Sequence, residues 1–269
     1  MGSSLDQIGP ITKTVADSEI IFNAIKGKDI MDSTSVEVSG LGATVQKKLK
    51  IGIPAGFMDT GGIDEKVLTN FIESIERFKS MGYEALNLEM PNVKYSLAAY
   101  YIIMPAEVSS NLARFDGVKY GLHISGKDII DDYFMTRGGG FGKEVRRRIL
   151  LGTYVLSSGY YDAYYNKAIQ VRNLIKNEYK EAFKNADFII TPTAPAPAWK
   201  IGEKSNNPLE MYLADIFTTP ANITGLPAIS LPSGFKKIGD KNLPLGIQLM
   251  SDYGREDVLF KAGKDFLGE

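Results

Sequence analysis

The chain has 269 residues, 44% of them hydrophobic, enough to bury a sizeable core. Its 31 basic and 32 acidic residues leave a net charge of −1, which argues against a broad basic surface for nucleic acid, although a neutral chain can still sit in a complex that binds RNA. It has no cysteine, which removes disulfides, thiolate nucleophiles, zinc–thiolate sites and iron–sulfur ligation, and suits a reducing cytosol.

The first predicted element is a helix over 14–26, with Thr14 and Asp17 as a capping pair, Val15, Phe22 and Ile25 on one face, and Gly27 as its stop. Residues 28–47 are polar and irregular and read as a surface connection. A short strand over 49–53 ends at Pro54, and a helix follows over 64–81 on the spacing of Leu68, Phe71, Ile72, Ile75 and Phe78. Residues 83–88 return to an extended pattern. Strand, helix and strand in that order form a crossover, hence parallel strands and an α/β architecture.

Residues 94–113 read as helical with a break at Met104-Pro105, because proline lacks the backbone donor and clashes with the preceding turn. A short helix around 128–135 leads to Arg137-Gly138-Gly139-Gly140-Phe141-Gly142. That run lacks the lysine-serine/threonine ending of a phosphate loop and reads as a flexible connection. A helix over 143–158 stops at Gly159, and a longer one over 161–185 carries Tyr164, Ala168, Val171, Ile175, Tyr179 and Phe183 as its core stripe. A buried strand over 188–190 opens into a proline-rich loop over 191–197, the kind of strand end that lines sites in open α/β sheets. Strands over 227–231 and 245–249 and a helix from Arg255 complete the series. No repeat, linker, signal peptide or membrane-length apolar run interrupts it, so one α/β unit is expected.

His123, the single histidine, would have to serve any Ser-His-Asp triad; between predicted helices it reads as a surface-loop residue. The helix over 143–158 holds three consecutive arginines beside an apolar stripe of Val145, Ile149, Gly152 and Leu156. At 100° per residue Arg147 points away from that stripe, Arg146 lies near a right angle, and Arg148 is nearest at about 70°. Arg148 is therefore the candidate for a partly buried guanidinium that grips a carboxylate through two hydrogen bonds; a solvated ion pair is the plainer alternative. Asp215 stands among apolar neighbours in 211–217. If buried it needs a partner, which an arginine, a backbone donor or a ligand ammonium group would supply; a structural pair or an exposed position is the alternative. Together an arginine and an aspartate suit a free amino acid. Tyr160, Tyr161, Tyr164 and Tyr165, like Tyr100 and Tyr101, read as packing residues, and Asp6, Asp17, Asp116 and Asp162 as turn or capping residues.

Four long runs in order resemble the amidase signature family, and within it the A subunits of aspartyl/glutamyl-tRNA amidotransferases. They are Ser3-Ser4-Leu5-Asp6-Gln7-Ile8-Gly9-Pro10; Asn111-Leu112-Ala113-Arg114-Phe115-Asp116-Gly117; Gly140-Phe141-Gly142-Lys143-Glu144-Val145-Arg146-Arg147-Arg148-Ile149, continuing through Tyr165; and Met211-Tyr212-Leu213-Ala214-Asp215-Ile216 with Gly225-Leu226-Pro227-Ala228. The resemblance implies an α/β amidase-signature fold, a mixed, mostly parallel sheet flanked by helices, of which residues 1–269 would be the C-terminal portion of a single domain. It puts the glutamine-binding arginine at Arg148, the glutamine-binding aspartate at Asp215 and a pocket tyrosine at Tyr100, beside Tyr101. The family's catalytic lysine, bridging serine and nucleophilic serine lie upstream of the segment matching Ser3–Asp6. The chain is thus expected to carry no catalytic residue, to hydrolyse no amide alone, and to be poorly soluble or oligomeric in isolation.

The implied activity is glutamine hydrolysis, supplying ammonia that amidates glutamate or aspartate misacylated on tRNA. No cofactor is implied for this chain; ATP and magnesium would serve a partner subunit. The implied partners are glutamine, amidotransferase subunits B and C and misacylated tRNA through the complex, in the cytoplasm and without a membrane. The alternatives are a non-catalytic assembly module or another amidase-signature hydrolase. Arg114-Phe115-Asp116-Gly117 and the Arg148/Asp215 pair argue against the last.

Overall fold

The computed structural model describes residues 1–37, 48–58, 62–203 and 208–269; residues 38–47 of the expected surface connection lie outside them. The elements in chain order are α1 (Val15–Ile25), β1 (Lys50–Pro54), α2 (Ala55–Met58), α3 (Glu65–Ser80), β2 (Glu84–Leu88), α4 (Ser96–Asn111), α5 (Ile129–Gly140), α6 (Lys143–Val155), a π-helical stretch (Tyr161–Asn166), α7 (Lys167–Ala182), β3 (Phe188–Pro192), α8 (Pro208–Leu213), α9 (Thr219–Thr224), β4 (Ala228–Ile238), β5 (Lys241–Ser251) and α10 (Glu256–Leu267). Two compact units result: a helical one of Met1–Asp6 with Ala98–Asn173, and a sheet-containing one of Gln7–Leu97 with Leu174–Glu269.

In the second unit the strands form one open mixed sheet in the order β2-β1-β3-β5-β4. The expected crossover is present: β1 runs parallel to β2 and also to β3. β5 is antiparallel to both β3 and β4. α3 and α10 cover one face, where Phe71, Ile75, Phe78, Val258, Ala262 and Phe266 bury against Phe188, Ile190, Ile247 and Leu249. Phe78 stacks on Phe266 at 4.9 Å and meets Tyr83 edge-on at 5.1 Å. Burying each such side chain stabilises the unit by about 1.5–3 kcal/mol. Strand alternation sends Ile189, Gln248 and Met250 to the opposite face, where the Tyr179 hydroxyl of α7 lies 3.9 Å from Met250 Sδ.

The β4–β5 hairpin is longer than the two apolar runs suggested. Gly239, at φ +59°, occupies the left-handed position of its two-residue turn. The register shifts between Pro232 and Gly234, and Asn70 of α3 fills the irregularity, its Nδ2 donating to Ser233 O at 3.0 Å. In α1 the Thr14 hydroxyl accepts the Asp17 N–H at 3.0 Å, as the capping pattern predicts. Of the face expected to be buried only Val15 is; Phe22 rests on Phe260 at 5.5 Å, and Ile25 is 59% exposed.

The helical unit departs from expectation at three places. α4 does not break at Met104-Pro105 but runs through it. Ile103, Met104, Ala106 and Val108 are all buried around the proline, and that packing outweighs one lost helical hydrogen bond. The glycine run is no flexible connection: Gly138-Gly139-Gly140 form the last turn of α5, where a Cβ on Gly139 would lie 2.8 Å from Ile124. The helix expected from residue 161 begins as a π-helical stretch, and Tyr164, expected in the core, is 42% exposed.

Candidate functional site

α6 starts at Gly142 and carries Glu144, Arg147 and Arg148 in its first two turns. Arg148 is the less exposed of the two ion-paired arginines on this helix, with its side chain 27% accessible against 42% for Arg147. The wheel geometry anticipated that order. Arg148 Nε donates to Glu144 Oε1 at 3.0 Å, and its Nη1 lies 3.6 Å from Met104 Sδ on α4. Glu144 also accepts from Arg147 Nη1 at 2.7 Å. Among the described residues no acceptor meets Arg148 Nη2. The guanidinium is thus gripped along its Nε side, leaving the Nη1/Nη2 end able to take a carboxylate in bidentate fashion.

Tyr100 lies one helical turn before Met104 on α4, so it shares the face that Arg148 touches. Its ring is edge-on to Tyr101 at 5.2 Å, and both rings are half-buried. The structure therefore puts Arg148 against the α4 face bearing Tyr100. The crossing of α4 and α6 is close because Gly152 has no side chain: a Cβ there would lie 1.9 Å from Pro105 O.

Asp215 belongs to the other unit, in the turn that joins α8 to α9. It is exposed rather than buried. Its backbone is fixed locally: Asp215 N donates to Tyr212 O at 3.1 Å, and Asp215 O accepts from Thr218 N at 3.1 Å and Thr219 N at 3.0 Å. The turn is tied to the sheet through Phe217. The Phe217 ring is buried edge-on to Phe57 at 5.3 Å, and its carbonyl accepts from Gln248 Nε2 at 2.8 Å.

The proline-rich loop lines a cavity, as its position at a strand end suggested. Thr193, Ala194, Ala196 and Pro197 bound a volume of ≈ 380 Å³ with Ser230 and Pro232. The Thr193 and Ser230 hydroxyls are 2.9 Å apart at its wall. A second open cavity of ≈ 500 Å³ is lined by Asn87, Glu89, Asn92, Glu178 and Glu181, and Glu178 is already engaged by Asn92 N at 3.0 Å. Neither cavity contains Arg148, Tyr100 or Asp215.

His123 sits in a loop, Nδ1 2.7 Å from Gly117 O and Nε2 3.1 Å from Ser125 Oγ, and serves to staple that loop. Tyr154, Tyr160 and Tyr164 form an exposed cluster with centroids 4.3–6.4 Å apart. The hydrogen bond from Tyr160 pushes the Tyr154 hydroxyl up to about 12. Tyr165 is also raised, first by burial and then by the nearby Glu107 carboxylate. Among the described residues no group of three or more histidine, aspartate or glutamate side chains is placed to hold a metal, and no helix is long and apolar enough to cross a membrane. Three supporting residues escaped the sequence reading: Glu144, Met104 and Gln248. The four-residue spacing of Glu144 and Arg148 was the available signal for the first.

The Amidase family profile matches residues 1–260. The chain is 53% identical over 254 residues to the Glutamyl-tRNA(Gln) amidotransferase A subunit of Thermodesulfovibrio yellowstonii, covering 92% of this chain and 51% of that one. It is 50% identical over 271 residues to the corresponding protein of Thermoanaerobacter pseudethanolicus, covering 98% and 54%. Among solved structures, the A subunit of Glutamyl-tRNA(Gln) amidotransferase from Thermotoga maritima aligns with a TM-score of 0.72 at 40% identity, over 97% of this chain and 52% of that one. An amidase at 20% identity, TM-score 0.72, shares the fold. The chain spans about half the length of the curated relatives it matches.

Proposed function

Because the chain belongs to the Amidase family, we propose that it forms the glutamine-holding portion of the glutaminase subunit of a tRNA-dependent amidotransferase. In this reading glutamine is hydrolysed through an acyl-enzyme, and the ammonia amidates glutamate or aspartate misacylated on tRNA. Arg148 takes the substrate carboxylate, Asp215 its α-amino group, and Tyr100 packs in the pocket. The lysine and two serines of amide cleavage are supplied by residues outside these 269; the sequence has no glycine-serine-rich nucleophile loop, and the chain alone hydrolyses no amide. Subunits B and C complete the cytoplasmic complex, and a partner subunit uses ATP and magnesium.

The observation that carries the reading is the Arg148 guanidinium, clamped along one side by Glu144 and open at its Nη end beside the Tyr100 face of α4. A half-buried arginine held this way is preorganised for a planar carboxylate. High identity to A subunits over nearly the whole chain supports the substrate class. The test is calorimetric titration of L-glutamine into the protein purified with the chains that accompany it. Arg148→Ala is expected to weaken binding by about 10- to 100-fold, the worth of a bidentate charged pair at roughly 1.5–3 kcal/mol. An unchanged dissociation constant would remove Arg148 from the site.

A further inference from the structure

We infer that Gln248 is a positioning residue, whose buried amide holds the turn carrying Asp215 and thereby sets selectivity for ligands that bear an α-amino group. The inference rests on Asp215 reading that amino group, as proposed above.

Gln248 lies in the middle of β5, an interior strand of the sheet, with Ile247 and Leu249 on either side. It is 4% exposed. A primary amide at that depth costs free energy unless it is hydrogen-bonded, and an apolar side chain of equal length would fill the same space. Its Nε2 spends its two hydrogens on Phe217 O, at 2.8 Å, and Thr191 Oγ1, at 3.2 Å. Thr191 is its cross-strand partner in β3, so that contact only braces the side chain within the sheet. The contact to Phe217 leaves the sheet and ends two residues beyond Asp215.

The elements flanking the turn do not set its height over the sheet. α8 and α9 are six residues each, too short to hold a fixed geometry by helix propensity. The backbone hydrogen bonds of Asp215 run to Tyr212, Thr218 and Thr219, all within the same segment, so they shape the turn without placing it. Two contacts tie it to the rest of the unit: the Phe217 ring against Phe57, and the Gln248 amide on the Phe217 carbonyl. The ring contact is non-directional, whereas the hydrogen bond fixes the height of the turn over the strand. Loss of the amide leaves Phe217 O buried beneath the turn without that donor and lets the Asp215 carboxylate drift.

The experiment compares L-glutamine with glutaramate, which has the same carboxylate and amide but no α-amino group. Both are titrated into the protein purified with its accompanying chains. Gln248→Met is expected to weaken L-glutamine about tenfold, as the loss of one buried hydrogen bond would, and to leave glutaramate within about twofold. Thr191→Val, which removes only the brace, leaves both affinities in place. Equal weakening of both ligands, or no weakening of glutamine in a folded Gln248→Met protein, overturns the inference. If Gln248→Met does not fold, Gln248→Asn, one methylene too short to reach Phe217, is read by the same criteria. Asp215→Ala separates the two levels. If it keeps the preference for glutamine, the reading of Asp215 falls and takes the inference with it. If it loses the preference while the Gln248 variants keep it, only the inference falls. A wild-type protein that binds neither ligand overturns both.

Discussion

Replacing Gly152 by alanine tests whether the crossing of α4 and α6 is what holds Arg148 in place. The new Cβ would lie 1.9 Å from Pro105 O, 2.5 Å from Pro105 C and 2.7 Å from Ser109 Cβ. Two of those three atoms are backbone, so no rotamer change relieves the clash and the helices must separate. Overpacking of this kind costs roughly 1–3 kcal/mol, and a backbone contact this short belongs at the upper end. Removing a helical glycine returns about 1 kcal/mol. The net loss is therefore about 2 kcal/mol, which at a urea dependence of roughly 1–3 kcal/mol per molar lowers the unfolding midpoint by about 1 M. Urea unfolding followed by far-ultraviolet circular dichroism reads this directly. Arg148 lies one turn before Gly152 and Met104 directly precedes Pro105, so the 3.6 Å contact between Arg148 and Met104 should open together with the crossing. A Gly152→Ala protein with an unchanged or higher midpoint would show that the helices do not meet as described.

Thr14→Ala removes the acceptor for Asp17 N and should destabilise the sheet-containing unit by about 1 kcal/mol, read as a lower midpoint in Trp199 fluorescence. Glu269→Ala should act at the same helix end, because its carboxylate accepts Val15 N at 3.1 Å and Ala16 N at 3.0 Å; a midpoint equal to wild type would refute that role. Burial raises the Glu256 carboxyl above its ordinary range, and its Oε2 is buried with no hydrogen-bond partner among the described residues. A raised folded-state value favours the protonated form, so this group's contribution to stability is fully present below the ordinary glutamate value of about 4.3 and is lost as pH rises through the folded value. Glu256→Gln should accordingly raise the melting temperature at pH 7 and lose that advantage near pH 4; an equal effect at both pH values would contradict the assignment.

The α/β architecture was legible because its signals are local. The 3.6-residue spacing of Phe71, Ile75 and Phe78 between two short apolar runs specifies a crossover before any tertiary contact is known, and β1–α3–β2 is that crossover. The misreadings share a different cause. Pro105 and the Gly138–Gly140 run are breakers by local rules, and tertiary packing overrode them. The buried side chains around Pro105 compensate its missing donor, and Leu122 and Ile124 occupy the space that side chains at Gly140 and Gly139 would need. Tyr164 failed for the opposite reason: a π-helical stretch advances side chains by a smaller angle than an α-helix, so the stripe predicted for 161–185 slips out of phase at its first turns.

The candidate site divides along the same line. Arg148 could be singled out because one helix wheel separates three arginines by direction, and the ranking of exposure between Arg147 and Arg148 followed. Its clamp was equally visible, since Glu144 stands four residues earlier, yet spacing alone cannot distinguish a clamp from an ordinary surface pair. What distinguishes it is Met104 on the far side of the guanidinium, a residue 44 positions away. Gln248 is further from legibility still. In sequence it is a polar residue at an alternate position of an apolar strand, the usual mark of a solvent-facing side chain, and the structure buries it. A sheet covered on both faces hides which polar residues are structural anchors, because alternation no longer reports exposure. The turn that Gln248 anchors comes 31 residues before it in the chain, so only the fold brings donor and carbonyl together.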